Sequence, residues 1–319
     1  MGAGVTATAA RARACLTRHG YRVAALESIP SGAGTRRYLR ASTDRGSIIC
    51  CVLDPAGGQA GALRFGTIRD WLCTAGLPVP AVLAYDRSAG VMLQSDLGRT
   101  RLDDLFAAGE CPGVARSALT ILATMNALPL GAAPDLPRRG AVELSVALEP
   151  FLEWFLPSGE PVVRALAAEL AGQPACFQHN DFHAGNLIVG LDGRLGVIDF
   201  QDAMVGPASI DLATFVFDPA VRRPSSARRA LLDEAFGIWR RAGLTPDSPE
   251  LFVSRIHVAA AHRLLQLAGV CARLIHRDRK ERYRRELRNA LWYLGDLPGT
   301  HPATAAVREL VGSAPAGVA

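Results

Sequence analysis

The sequence predicts an α+β fold, with a small antiparallel sheet in the first part of the chain and a mainly helical second part. Three features predict it. Short runs rich in β-branched and apolar residues, bounded by Gly, Pro or Ser, recur through about the first 95 positions. From residue 102 onward the apolar residues recur at helical spacing. One strand–turn–strand pattern, at 187–198, interrupts that helical stretch. The chain has 319 residues, of which 49% are hydrophobic and 20% charged. That is enough for one large two-lobed domain or two domains of ordinary size, and too little charge for a disordered chain. The expected division is 1–98, 99–311, and a frayed tail at 312–319 that offers little to a core.

Taken in order, residues 6–19 read as a helix closed by Gly20, since glycine ends a helix at no Cβ penalty. Residues 21–26, 36–41 and 47–53 read as strands, with Ser31-Gly-Ala-Gly-Thr35 turning between the first two. Asp54-Pro-Ala-Gly-Gly58 breaks the pattern, and 59–75 looks helical. Residues 82–85 and 91–94 give two more strands about a Ser88-Ala-Gly90 turn. Helices are then expected at 102–108, 113–127, 149–155 and 161–171, with a Pro- and Gly-rich loop at 131–139. After the ribbon they resume at 210–217, 226–242, 248–275 and 279–294.

Composition excludes several classes. The seven cysteines show no C-x-x-C spacing, which argues against a zinc site. Adjacent Cys50 and Cys51 would face opposite sides of a strand. All seven read as reduced and mostly buried, which implies a cytoplasmic setting. No apolar run reaches the roughly 18 residues of a membrane span, so no membrane partner is expected. Lys280 is the sole lysine, so there is no Gly-Lys-Ser/Thr phosphate loop. The net charge is +5, but aromatic residues are not clustered among the basic ones, and nucleic acid is not expected as a partner.

The informative stretch runs from Gln178 to Phe200. Asp192-Gly193, between apolar runs, is a strong signal for a two-residue hairpin loop, because type I′ turns need positive φ at both central positions. That register places Asn186 directly opposite Asp199 on one face, with Cβ atoms roughly 5 Å apart. An amide oxygen and a carboxylate meeting there suit Mg²⁺, which takes few protein ligands and substrate phosphates. Asp181, five residues before Asn186, would enter the same site and orient or deprotonate an attacking hydroxyl. A metal for the phosphates and a carboxylate for the nucleophile are what phosphoryl transfer requires. His179 reads as a buried histidine bonding the loop backbone. His183 is open between touching substrate and bracing the loop. Asp211 reads as a support for the loop or as a helix N-cap.

The segment His179-Asn-Asp-Phe-His-Ala-Gly-Asn186 and the segment Ile198-Asp-Phe-Gln-Asp-Ala203 resemble the catalytic loop and metal-binding segment of the aminoglycoside phosphotransferase/choline kinase superfamily. The resemblance covers most of the chain and implies a protein-kinase-like two-lobed fold. Thr35-Arg-Arg-Tyr-Leu-Arg40, Gly206-Pro207, Ala261-His-Arg-Leu-Leu265 and Ala272-Arg-Leu-Ile-His-Arg-Asp278 bring it closer to the bacterial cell-wall amino-sugar kinases. Those enzymes phosphorylate the anomeric hydroxyl of N-acetylmuramate and N-acetylglucosamine. The resemblance implies ATP and Mg²⁺ as cofactors, Asp181 as base, and Asn186 and Asp199 as metal ligands. The wider superfamily carries a phosphate-binding lysine on the third strand, and residues 48–53 contain none. Arg36, Arg37 or Arg40 could supply the charge with a guanidinium fork, or could line a solvated strand face. Gln94 and Asp96 fall where the lobes should join and where adenine would meet the backbone.

Between residues 220 and 290 there are 16 Arg or Lys against 7 Asp or Glu. A pocket for polycationic aminoglycosides should be acidic, so this balance suits a neutral or anionic sugar better. His262-Arg263 and His276-Arg277 read as core-flanking or surface residues rather than substrate contacts. Asp202, next to the metal segment, is open between bonding a sugar hydroxyl and an indirect role. The expected molecule is a monomeric cytoplasmic sugar kinase. The alternatives are a kinase for an aminoglycoside or another small alcohol, such as choline or homoserine, and a nucleotide-binding pseudokinase motivated by the missing strand lysine.

Overall fold

Apolar residues at every second position of 39–52 and 91–93 build one dry face of a sheet, and the rest of the first part of the chain folds around it. The structure, a computed structural model, describes residues 2–30, 36–54, 58–109 and 111–313, the side chains of 2–6 and 58–60 excepted. It divides into two compact units, 1–100 with 188–201 and 101–187 with 202–319.

The first unit begins with α1 (Gly2–Arg18), β1 (Val23–Ile29), β2 (Arg37–Thr43) and β3 (Gly46–Val52). It continues with α2 (Gly58–Thr74), β4 (Val82–Asp86) and β5 (Val91–Ser95). Among the described residues these strands form one antiparallel sheet in the order β1-β2-β3-β5-β4. Leu39, Ala41, Ile48, Cys50, Val52, Val91 and Leu93 bury one face against Ala12, Cys15 and Leu16 of α1. Each buried leucine or isoleucine here is worth roughly 1.5–3 kcal/mol relative to exposure. Arg11 ties α1 to the sheet by donating to Ala89 O at 2.7 Å and Leu53 O at 3.0 Å. Cys50 lies in this core while Cys51 faces the other side, toward Tyr38, as their adjacency requires. The expected turn at 31–35 lies outside the described residues.

The ribbon of β8 (Leu187–Val189) and β9 (Leu195–Val197) was expected within the second part of the chain, but 188–201 packs with the first unit. The reason is local. Val197 N–H donates to Pro78 O at 2.7 Å, Phe200 stacks on Phe65 with centroids 4.7 Å apart, and Arg64 Nε donates to Gln201 O at 2.6 Å. The loop also differs from expectation. Gly190 N–H donates to Arg194 O at 2.8 Å and Gly193 N–H to Gly190 O at 3.0 Å, so the loop is the three residues 191–193, not two. Gly193, at φ 76°, takes the left-handed position such a loop needs. The register therefore shifts by one, and the direct opposition of Asn186 and Asp199 expected from a two-residue loop does not follow.

β6 (Thr100–Arg101) falls at the division, and the second unit goes on with α3 (Leu102–Ala108), α4 (Pro112–Asn126), α5 (Ala141–Val146), α6 (Glu149–Trp154) and α7 (Glu160–Ala171). β7 (Ala175–Gln178) and β10 (Met204–Pro207) form a two-stranded antiparallel sheet that pairs Gln178 with Met204 and Ala175 with Pro207. α8 (Ile210–Val216), α9 (Ser225–Arg241), α10 (Pro249–His276), α11 (Arg284–Asp296) and α12 (Pro302–Gly312) complete it. The helix expected from 279 starts at Arg284, because Arg279 sits at φ 55° and breaks the path. α12 occupies 302–312, so the expected tail begins within a helix, and 314–319 lie outside the described residues.

α10 is 28 residues long and apolar enough to cross a membrane by length and composition, contrary to the reading that no such run exists. However, 72% of its most apolar window is buried in this unit, among α6, α7, α8 and α11. A Cβ at Gly269 would lie 2.2 Å from the main-chain nitrogen of Phe151, so glycine is what lets α6 and α10 meet backbone to backbone.

Candidate active site

In the second unit, β7 delivers the chain to residues 179–186, and four side chains fix that loop. Asp211, fully buried at the start of α8, accepts the His179 N–H at 2.6 Å and the Asn180 N–H at 3.0 Å. This lets Asn180 hold φ 69°, an uncommon conformation for a non-glycine residue. Asp211 is thus the loop support and not a helix cap, its own N–H being bonded to Gln178 Oε1. Buried Asp218, which the sequence did not flag, accepts the Ala184 N–H at 3.1 Å. His179 Nδ1 accepts the Asp181 N–H at 3.3 Å, from a ring with no exposed surface. His183 Nδ1 accepts the Gly185 N–H at 3.1 Å, which turns Nε2 to within 3.4 Å of Asp181 Oδ2. His183 therefore braces the loop.

The loop holds Asp181 among cationic and amide donors. Arg263 of α10 donates to Oδ1. Asn186 Nδ2 donates to the Asp181 main-chain oxygen at 2.9 Å and to Oδ2 at 3.2 Å. Burial pushes the Asp181 carboxyl up, but the His183 hydrogen bond and the charges of Arg263 and His183 outweigh it and hold the group well below the usual carboxylate range. Burial opposes a charged His183, yet the hydrogen bond and charge of Asp181 raise its pKa. Burial drives Asp211 up to about 7, against the pull of the two loop N–H donors and Arg263. Asn186 spends its Nδ2 on Asp181, which leaves the amide oxygen as the acceptor of that side chain.

Exchanging Asp211 for Asn should loosen this loop. An amide offers one acceptor where two N–H groups point, and its NH₂ faces the second. A buried unsatisfied donor costs about 1–3 kcal/mol. The expected result is a melting temperature several degrees lower and a kcat reduced roughly 10-fold or more, measured by thermal unfolding and steady-state rates.

In the first unit, Asp199 follows β9 at φ 65°. Its Oδ1 accepts from Gln201 Nε2 at 2.8 Å and lies 3.9 Å from Arg36 Nη1. Burial, then the neighbouring Cys51 and Asp199, push the Tyr38 hydroxyl above its ordinary range beside this pair. Arg37 is exposed on β2. Arg40 is committed elsewhere, donating to both oxygens of Asp96 at 2.6 and 3.2 Å and to Gly98 O at 2.7 Å. Ser47 Oγ and the Gly98 N–H also donate to Asp96, at 2.6 and 3.1 Å. Burial raises the Asp96 pKa, but these donors, Arg40 first, bring it below its ordinary value. Asp96 is therefore a clamp within this unit. Gln94 is buried, with its Nε2 against Met92 Sδ at 3.3 Å. Asp202 is exposed at the end of a short 3-10 turn.

Two groups of residues thus come together. Asp181, His183 and Asn186 meet in one unit, joined by Arg263, which sequence reasoning had read as core-flanking or surface. Arg36 and Asp199 meet in the other. The signal for Arg263 was present in the Ala261-His-Arg-Leu-Leu265 motif, but spacing on a helix does not say which partner the side chain meets. His262, read as core-flanking or surface, is a core residue, its Nε2–H donating to Leu144 O at 2.9 Å.

Residues 25–251 match the model of the phosphotransferase enzyme family. The chain is similar to an N-acetylmuramate/N-acetylglucosamine kinase of Pseudomonas aeruginosa, at 31% identity covering 91% of this chain and 89% of that one. It is also similar to one of Neisseria meningitidis, at 31% identity covering 88% and 89%. In fold it is similar to a choline/ethanolamine kinase family protein from Mesorhizobium loti, with TM-score 0.65, 19% identity, and coverage of 94% and 97%. An ADP-bound aminoglycoside phosphotransferase gives TM-score 0.60 at 14% identity, covering 88% of this chain and 96% of that one.

Proposed function

The chain belongs to the phosphotransferase enzyme family, and we propose that it moves the γ-phosphoryl group of ATP to the anomeric hydroxyl of N-acetylmuramate or N-acetylglucosamine. The observation that carries this reading is the Asp181 carboxylate, held ionised by Arg263 and His183 and tied to Asn186. A carboxylate kept far below neutral pH accepts a hydrogen bond from a sugar hydroxyl and orients its oxygen without removing the proton early. That suits a loose transition state, in which the nucleophile is positioned more than activated. The proton passes to Asp181 as the new P–O bond forms.

Asn186 and Asp199 are the proposed protein ligands of Mg²⁺. Each donor is of the right kind, since an amide oxygen and a carboxylate are hard oxygens, and Mg²⁺ takes few protein ligands beside water and phosphate. When bound, Mg²⁺ neutralises the phosphate oxygens and the charge that develops on them. Arg36 is the proposed substitute for the missing strand lysine. Arg40 is spent on Asp96 and Arg37 is exposed, whereas Arg36 already faces the carboxylate of the metal segment. Gln94 lies within β5 between β3 and β4, so the main chain left for an adenine edge is the segment after Ser95. The seven cysteines, all thiols, fit a reducing compartment.

The test is turnover by purified protein with ATP and Mg²⁺ against N-acetylated amino sugars, aminoglycosides and choline, read as ADP release. Turnover of the N-acetylated sugars alone is expected. Turnover of an aminoglycoside or choline in their place, or of none, overturns the proposal.

A further inference from the structure

We propose that Arg139 reads a carboxylate on the acceptor sugar, and so sets the preference for N-acetylmuramate over N-acetylglucosamine. The inference rests on the sugar-kinase reading above. These two sugars differ by the lactyl ether at the 3-oxygen, whose carboxylate is the one charge that distinguishes them.

Arg139 ends a Pro- and Gly-rich stretch that sequence alone treats as a plain loop, yet its main chain is pinned. The Arg139 N–H donates to Val205 O at 2.8 Å, and Val205 N–H donates to Pro137 O at 2.9 Å, so the loop grips β10 from both sides of one residue. The base of the side chain packs over Gly206, where an added Cβ would stand 3.5 Å from Arg139 Cβ. β10 in turn pairs with β7, whose last residue leads straight into the loop that carries Asp181. The arginine is therefore held on the framework of the catalytic loop.

Its guanidinium is half-buried, and among the described residues it makes no hydrogen bond or ion pair. The carboxylates whose charge reaches it are Asp211 and Glu143. Both are engaged: Asp211 by the two loop N–H groups, Glu143 by the Gly140 N–H at 2.9 Å. Burial and the like charge of Arg263 both weaken its hold on its proton. Two guanidinium groups thus share the neighbourhood of the catalytic loop. Arg263 is neutralised by Asp181, while Arg139 has only the more distant charges of Asp211 and Glu143 and no direct ion-pair partner among the described residues. Burying such a charge is unfavourable unless a partner arrives. A planar fork that awaits an anion matches a carboxylate, which can take two parallel hydrogen bonds from it.

The experiment compares wild type, Arg139→Gln and Arg139→Lys through kcat/KM for each sugar. In Arg139→Gln the ratio of kcat/KM for N-acetylmuramate to that for N-acetylglucosamine should fall roughly 10- to 100-fold, the size of a lost charge-assisted hydrogen bond. The loss should lie mainly in KM. Arg139→Lys should recover part of the ratio, because it keeps the charge and loses the fork. N-acetylglucosamine turnover in each variant reports that the site is folded. An unchanged ratio, whether both sugars lose equally or neither does, overturns the inference alone. If the wild type turns over neither sugar, the sugar-kinase reading fails, and this inference fails with it.

Discussion

Asp181→Asn lowers kcat by roughly 10²- to 10⁴-fold, the range carried by a positioned proton acceptor. The amide keeps the shape of the carboxylate and one acceptor oxygen, so the loop pinned by Asp211 and Asp218 persists, and the affinity for ATP stays close to that of the wild type. The electrostatics change in a readable direction. His183 owes its raised pKa to the hydrogen bond and charge of Asp181, so in the variant it titrates at lower pH. Arg263 loses its anionic partner at the same time. The measurement is a single-turnover rate together with an NMR titration of the histidine ring. A near-normal rate would remove Asp181 from the chemistry, and an unshifted His183 would contradict the Asp181–His183 contact.

The second large effect is expected from Asp199→Asn. A bound Mg²⁺ would contribute several kcal/mol of charge stabilisation in the transition state. At about 1.4 kcal/mol per factor of ten, loss of the proposed anionic ligand should lower kcat by about 10³-fold at fixed Mg²⁺. The Mg²⁺ concentration for half-maximal rate should rise, since a neutral amide binds a hard cation less well than a carboxylate does. Gln201 Nε2 and Arg36 both face Asp199 Oδ1, so the variant also frees Arg36. Rates followed across a Mg²⁺ titration decide the matter, and an unchanged titration midpoint would assign the metal to other residues.

Much of this was legible because local pattern and global structure agree. The helix expected at 102–108 is α3 (Leu102–Ala108), and β2 alternates as a half-buried strand requires, while β3 and β5 at the centre of the sheet read as short apolar runs because they are buried on both faces. The spacing from His179 to Asn186 was also informative, because a loop closed upon itself needs polar groups at fixed offsets, and these ones bond each other. Where the reading failed, distant residues decided the outcome. β7 and β10 are four-residue strands that contain or adjoin proline and glycine, poor strand formers that form only because they pair with each other. Asp192-Gly193 signalled a turn correctly but not its length, and one added residue moved the register of the whole ribbon. Asp218 and Arg263 reach the loop from α8's far end and from α10, and nothing in their own neighbourhoods announces that partner. Arg40 and Arg36 looked alike on one strand edge, and only the fold showed Arg40 committed to Asp96 and Arg36 beside Asp199.

The most direct test follows the phosphorus atom. Purified protein is incubated with ATP, Mg²⁺ and N-acetylmuramate, and the product is analysed by proton–phosphorus correlation NMR. A new phosphomonoester coupled to the anomeric proton, formed by the wild type and lost in Asp181→Asn, is the predicted result. A phosphate coupled to any other proton, or equal product from the variant, would contradict the account.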